Sequence, residues 1–265
     1  MKDVLMSNEI YTSQIGSMQT NGTVKLLNIF FVVDTSAHMR AEGRIEAVNA
    51  LFYKMIPALC QFQEDYHSEF ELRIAIMTFD QSARWIVPPT SILKYAHEDI
   101  ICGEWVMDFS GALRSLGEKL SRKEYMAHTC KIAAPFIILI TNDDHALSDD
   151  DRSELDSLKR NGWFKSAHRF IAFVDDLEGR DDNNNYELLE FASSPDSIIE
   201  KDVVVDYLDN ALRPKAQYLD RNESNRDIEA FKPNESDADA FFSDTFDSQK
   251  MFFGGILKTV LFNKS

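Results

Sequence analysis

The stretch FFVVDTSAHM, residues 30–39, decides the fold of this chain. Four large apolar residues are followed directly by Asp34, Thr35 and Ser36, and residues 26–29 extend the apolar run toward the N-terminus. A near-continuous run of aromatic and β-branched residues is typical of a strand that is buried on both faces. The pattern therefore predicts a central, buried strand with oxygen-bearing side chains directly after it.

Strands and helices are predicted to alternate on the C-terminal side of this stretch. Apolar patterns of the strand type occupy residues 71–79, 83–87, 135–141 and 168–174, and the second is predicted to stop at Pro88 and Pro89. Helical spacing occupies residues 44–66, 110–126, 149–162, 186–192 and 203–212, with Asp108 or Ser110 capping the second helix. This alternation predicts an α/β fold, a three-layer α/β/α sandwich around a mainly parallel sheet.

Composition divides the chain into three parts. Residues 1–24 are predicted to be a polar N-terminal arm, and residues 25–213 the α/β domain. Residues 214–265 form an acidic and aromatic tail that ends in an apolar segment at 251–262. That segment either packs on its own domain or docks into a partner.

Charge and hydropathy exclude several classes of function for the 265-residue chain. The net charge of −16 argues against nucleic acid, since phosphate binding needs a basic face. No apolar run approaches the roughly 20 residues that cross a bilayer, and no secretory signal is expected, so a cytoplasmic location is predicted. Cys60, Cys102 and Cys130 form no CxxC pair, which favours free thiols over a zinc or redox motif.

FFVVDTSAHM resembles the first motif of von Willebrand factor A domains, in which a strand is followed by Asp-x-Ser-x-Ser. RIAIMTF (73–79), DFSGALRSL (108–116) and PFIILITNDD (135–144) resemble later segments of that fold in the same order. The resemblance covers roughly residues 25–213 and is strongest to bacterial stand-alone A domains of the tellurite-resistance TerY type. It implies the Rossmann-like sandwich of that family and a metal-ion-dependent adhesion site beyond the strand ends.

The family's metal site is only partly matched. Asp34 and Ser36 match, whereas His38 replaces the second serine and Asn142 replaces the final aspartate. Met107 stands where the family has a threonine. Two interpretations follow: a retuned site at Asp34, Ser36, His38 and Asn142 that holds Mg²⁺ or Mn²⁺, or Zn²⁺ through the histidine, or a degenerate site that binds no ion. The shortage of carboxylates favours the degenerate site.

The resemblance implies a non-enzymatic protein–protein interaction module in a bacterial stress-response or defence assembly. The residues predicted to bind the protein partner are Asp34, Ser36, His38, Asp108, Asp143 and Asp144. One alternative is a metal-dependent hydrolase with His38 as base, although neither a GxSxG elbow nor a GxxxxGK phosphate loop is present. Another is a scaffold that acts mainly through residues 214–265, and the oligomeric state is left open.

Overall fold

A six-stranded sheet is the centre of the computed structural model, which describes residues 24–103, 107–126, 131–142, 147–175, 187–194 and 197–212. The strands lie in the order β3-β2-β1-β4-β5-β6. They are β1 (Lys25–Asp34), β2 (Phe70–Phe79), β3 (Ala83–Ser91), β4 (Phe136–Thr141), β5 (His168–Phe173) and β6 (Ile198–Glu200). Every neighbouring pair is parallel except β2 and β3, which confirms the mainly parallel sheet.

Helices cover both faces of this sheet. On one face α1 (Arg44–Asp65) and α5 (residues 204–212) contribute to one apolar core. On the other face α2 (Phe109–Lys119), α3 (Asp149–Leu158) and α4 (Gly162–Ser166) contribute to a second core. The predicted three-layer α/β/α sandwich is therefore confirmed.

The sequence of β1 explains its central position. Nine of its ten residues are buried, and successive side chains point to opposite faces of a strand. Ile29, Phe31 and Val33 accordingly belong to the core under α1, while Phe30 and Val32 belong to the core under α2. A strand that supplies both cores has to be apolar throughout, as the run at 26–33 is except for the buried Asn28.

The strand order places a topological switch point between β1 and β4. The chain proceeds outward from β1 to β2 and β3, then returns to the other side of β1 for β4, β5 and β6. Ligands of open α/β sheets bind outside the carboxyl ends of the strands at such a point. The register pairs Val33 with Ile140, so Asp34 and Thr141 end their strands side by side.

Several predicted boundaries were wrong. Strand β3 continues through Pro88 and Pro89 to Ser91, because it is an edge strand whose pairing with β2 is irregular there. Helix α2 ends at Lys119 instead of residue 126. The helix predicted over 149–162 ends at Leu158, and a separate helix follows because the Asn161 side chain caps its start.

Strand β6 was not predicted, and residues 187–190 form a 3-10 turn instead of a short α-helix. The predicted N-terminal arm, apart from Val24, and the predicted tail at 214–265 lie outside the described residues. Within the part of the chain that the structure describes, no helix has the length and apolar character needed to cross a membrane.

Candidate functional site

The carboxylate of Asp34 lies at the switch point, where Asp34 and Ser36 together form the buried floor of the candidate site. Asp34 is the last residue of β1 and is fully buried. Its Oδ1 accepts a hydrogen bond from the backbone N–H of Ser36 at 2.8 Å, and its Oδ2 accepts one from the Thr141 hydroxyl at 2.8 Å. A buried charge needs such donors to offset its lost hydration. The Asp34 side chain thereby joins the ends of β1 and β4.

The hydroxyl of Ser36 is the one polar atom at this floor that lacks a partner among the described residues. Ser36 is only 1% exposed, and its Oγ makes no hydrogen bond there. Buried hydroxyls are normally hydrogen-bonded, so an unpartnered one points to a bound water, an ion or a group from a ligand. Ser36 therefore remains a candidate ligand-binding residue on geometric grounds.

Residues 95–103 form a loop that closes over the ends of β1 and β2. The Asn49 side chain on α1 holds Ile100 by two hydrogen bonds, to its carbonyl at 3.0 Å and from its N–H at 2.8 Å. The N–H of Gly103 donates to the Thr35 carbonyl at 2.7 Å. Between them Ile101 is 83% exposed. The loop is fixed at both ends and presents an apolar side chain between its two anchors.

Cys102 belongs to the same loop and contacts the candidate site directly. Burial raises the pKa of its thiol, an effect that nearby Arg40 partly offsets. The protonated thiol donates to the Ser36 carbonyl, with 2.9 Å between Sγ and O. A thiol held in the protonated form is a poor nucleophile. Cys102 therefore acts as a hydrogen-bond donor within the fold, in agreement with the predicted free thiols.

A second buried carboxylate, Asp80, lies beside this loop and was not predicted. It follows β2 directly, and its side chain is 4% exposed. Its Oδ2 accepts from Arg84 at 3.0 Å, while its backbone carbonyl accepts from the N–H of Asp108 at 2.6 Å. A polar residue directly after a buried strand was the signal used for Asp34 and Asn142, and the same signal was available at Asp80.

His38 and Asn142, the other two predicted metal ligands, make contacts outside the floor at Asp34 and Ser36. His38 is exposed, and its backbone carbonyl accepts from Arg44 at 2.9 Å. The amide oxygen of Asn142 accepts the backbone N–H of Asp175 at 3.0 Å. Asp143 and Asp144, predicted to bind a partner, lie outside the described residues.

Asp108 caps the start of helix α2, which confirms one of the two N-cap residues predicted for this helix. Its Oδ1 accepts from the N–H of Gly111 and from the Ser110 hydroxyl, each at 2.9 Å. Met107, at the position of the family's threonine, packs against the core under α2. Methionine has no hydroxyl, and this side chain packs against the core, so position 107 supplies no oxygen ligand from its side chain to the candidate site.

The described donors do not fit Mg²⁺. Mg²⁺ prefers about six oxygen ligands in octahedral order, with carboxylates among them. Of the four predicted ligands, only Asp34 is a carboxylate, and the amide oxygen of Asn142 already accepts a backbone hydrogen bond. Over the described ranges no group of three or more His, Cys, Asp or Glu residues could hold an ion. Only the unpartnered hydroxyl of Ser36 argues for a ligand here.

Comparison with known proteins gives only distant similarities. No protein-family model and no curated protein matches the chain. Among similar solved structures is proximal thread matrix protein 1 from the mussel byssus, with 12% identity over 73% of this chain and 47% of that one, and a TM-score of 0.47. Another is the open conformation of the pilus adhesin SpaC from Lactobacillus rhamnosus GG, with 14% identity over 75% and 30% and a TM-score of 0.48.

A third similar structure is the vWF domain of the type V pili tip protein Mfa5 from Porphyromonas gingivalis. It has 11% identity over 80% of this chain and 99% of that one, with a TM-score of 0.48. The chain thus spans less than half of the mussel protein and less than a third of the pilus adhesin. All three TM-scores lie below 0.5, and the identities are 11 to 14%.

Proposed function

We propose that the chain is a non-enzymatic protein-interaction module whose binding surface is the switch-point edge. The observation that supports this most is the composition of that edge. Exposed Ile101 is the apolar side chain of this edge, while exposed His38 and Arg40 and the buried Asp34 and Ser36 supply its polar groups. An apolar centre with a polar rim is the usual anatomy of a protein–protein interface.

The shape of the edge also favours a protein surface over a small substrate. Small-molecule sites are clefts of roughly 300 to 1,000 Å³. The indentation beside Thr141, which is lined by Phe79, Met107, Phe109, Leu139 and Leu188, has no room for a water molecule. A partner that lies across the loops needs no such cleft.

Hydrolysis with Ser36 as nucleophile and His38 as base has little geometric support. A serine nucleophile is activated by a base within about 2.6 to 3.2 Å of its hydroxyl. The Ser36 hydroxyl contacts no such group among the described residues. The carboxylate of Asp34, which would orient the base, instead accepts from Ser36 N–H and Thr141.

The proposed family type, pathway, location and state of the metal site rest on the sequence resemblance. We propose a TerY-like module of a bacterial stress-response or defence assembly in the cytoplasm, with a degenerate metal site. The charge of −16 suits a partner with a basic surface. Recognition mainly through residues 214–265 is the second candidate, since their apolar end at 251–262 is of a size that usually packs against something.

Affinity measurements with matched variants test the proposal. The full chain is first used to capture partners by cross-linking, and a one-to-one complex is then rebuilt from purified proteins. We expect Ile101→Asp to weaken that complex about tenfold or more, since a charge would be buried at the interface centre. Ile86→Asp is the control, because Ile86 is also exposed but lies in the middle of edge strand β3.

Two further measurements distinguish this proposal from the tail scaffold and from the hydrolase. Deletion of residues 214–265 should leave the affinity unchanged, and a deletion that abolishes binding while Ile101→Asp does not would favour the tail scaffold. Turnover of ester or phosphate substrates that disappears in both Ser36→Ala and His38→Ala would replace the interaction module with the hydrolase.

A further inference from the structure

Arg44, the first residue of α1, holds the short 3-10 helix Ala37–Gly43 after β1 against the segment that follows β5. Its side chain is 16% exposed, and its Nε lies 3.1 and 3.0 Å from the two carboxylate oxygens of Asp175. Its Nη2 donates to Asp175 Oδ2 at 2.7 Å, and its Nη1 donates to the His38 carbonyl at 2.9 Å. Such forked contacts between guanidinium and carboxylate are the strongest and most directional ion pairs in proteins.

The contacts of Asp175 extend this network to the loop after β4. The backbone N–H of Asp175 donates to the Asn142 amide oxygen, which lies one residue beyond the end of β4. The network thus joins the segments that follow β1, β4 and β5, all at one edge of the sheet. His38 and Asn142 are two of the four predicted metal ligands, and they take part in it through a backbone carbonyl and an amide oxygen, respectively.

A divalent cation in a site of this kind supplies positive charge to oxygen atoms from separate loops and so fixes them together. A guanidinium supplies positive charge as well, through five N–H donors in a rigid plane, and it stays charged at every relevant pH. Arg44 gives this charge to the oxygens of His38 and Asp175 from within the chain. The four predicted metal ligands, in contrast, do not fit Mg²⁺.

We infer that the Arg44–Asp175 pair, and not a bound divalent cation, holds the loops of the switch-point edge, so that the surface keeps its shape without metal. The inference deepens the proposed function, because it concerns the same surface. It can be tested without a partner, so a failure of the interaction hypothesis and a failure of this inference are distinguishable.

Amide hydrogen exchange of the full-length chain provides the test. Exchange is followed over residues 36–44 and 168–175 in EDTA and in separate solutions of Mg²⁺, Mn²⁺ and Zn²⁺. In the unmodified protein we expect the same rates in all four solutions. Arg44→Met and Asp175→Asn should each accelerate exchange in both segments about tenfold or more, since each removes the part-buried forked contact, and the remaining contact of Arg44 with Glu42 is made by a largely exposed side chain.

Two control variants make the result specific. Arg114 makes a similar contact with Glu154, but its side chain is 58% exposed, so Arg114→Met should leave exchange in both segments unchanged. Arg44→Lys keeps the charge without the planar fork and should give an intermediate acceleration. It also replaces Arg44→Met if that variant does not fold.

Two results would overturn the inference. One is slower exchange in the presence of any of the three cations that Asp34→Ala abolishes, because a bound ion would then hold the loops. The other is wild-type exchange in Arg44→Met, Arg44→Lys and Asp175→Asn, because the pair would then hold nothing.

Discussion

Gly103 occupies a position where no side chain fits. A Cβ atom built on Gly103 lies 2.2 Å from Oδ2 of Asp80 and 3.1 Å from its Cγ. Among the described glycines only Gly43 has a positive φ, so the constraint at Gly103 is steric and not conformational. Gly103→Ala must therefore displace the Asp80 carboxylate or lift the loop from the ends of β1 and β2.

The cost of Gly103→Ala follows from the contacts that would be lost. An ordinary contact of about 3.4 Å requires a shift of about 1 Å, and overpacking of this kind costs about 1 to 3 kcal/mol. Displacing the carboxylate also weakens its 3.0 Å contact with Arg84, which adds about 1 kcal/mol. We expect a free energy of unfolding lower by about 2 to 4 kcal/mol and a Tm lower by about 5 to 12 °C.

Thermal and urea unfolding of matched variants measure this cost. Gly162→Ala is the control, since a Cβ there meets nothing within 4 Å, and its effect should be neutral or stabilising by up to about 1 kcal/mol. In the Asp80→Ala background Gly103→Ala should cost less than about 1 kcal/mol, because the obstructing oxygen is gone. A steric clash with Asp80 is contradicted if Gly103→Ala unfolds at the wild-type temperature, or if it lowers the free energy of unfolding equally in both backgrounds.

Three more predictions use the same unfolding assays. Glu42→Gly should raise the free energy of unfolding by about 1 kcal/mol and Glu42→Ala should not, because residue 42 has a φ of 56° and its ion pair with Arg44 is made by a largely exposed side chain. Burial lowers the pKa of His97 below 6.5 against a smaller opposing effect of Asp99, so stability falls as the pH drops below 6.5, and His97→Phe should lessen that fall. Thr141→Val should cost about 1.5 to 3 kcal/mol, since the Asp34 carboxylate loses a donor at 2.8 Å, and an unchanged urea midpoint would refute this.

Sequence periodicity was sufficient for the long buried elements. The run at 26–33 and the helical spacing over 44–66 gave β1 and α1 to within one residue at each end, because burial of nearly all of β1 and of one face of α1 leaves a strong pattern. No such pattern indicated strand β6. It has three residues, and its pairing with β5 depends on a neighbour about 27 residues away in the chain, which no local pattern records.

The end of α2 shows a second limit of local patterns. Apolar residues continue at Leu120 and Met126, which suggested a longer helix, and both are indeed buried in the core under α2. They reach that core from turns, since α2 ends at Lys119 and the chain bends back at residues 120–126. Burial alone therefore could not fix where the helix ends.

The predicted residues Asp34 and Asn142 lie at one edge of the sheet, but the sequence did not show which contacts their side chains make. Asp34 and Asn142 were found because polar residues after parallel strands meet at one edge. Arg44 was read only as the start of a helix, and its partner Asp175 is 131 residues away. Contacts of that separation are fixed by topology, so the sequence could place the loops at one edge without indicating which side chains hold them together.

The presence of Asp34 and Ser36 at the end of β1 does not by itself argue for a metal. The Asp34 carboxylate accepts hydrogen bonds from the Ser36 backbone and from Thr141 across two strands, and removing it would take a buried acceptor from both donors. That cost is independent of any ion, so the folded domain alone accounts for Asp34. At the other predicted ligand positions the chain has the exposed His38 and the Asn142 amide that accepts from Asp175, and nearby Met107 packs against the core under α2. A motif match at the strand end thus reports the position of the edge, and the neighbouring loops determine what that edge can bind.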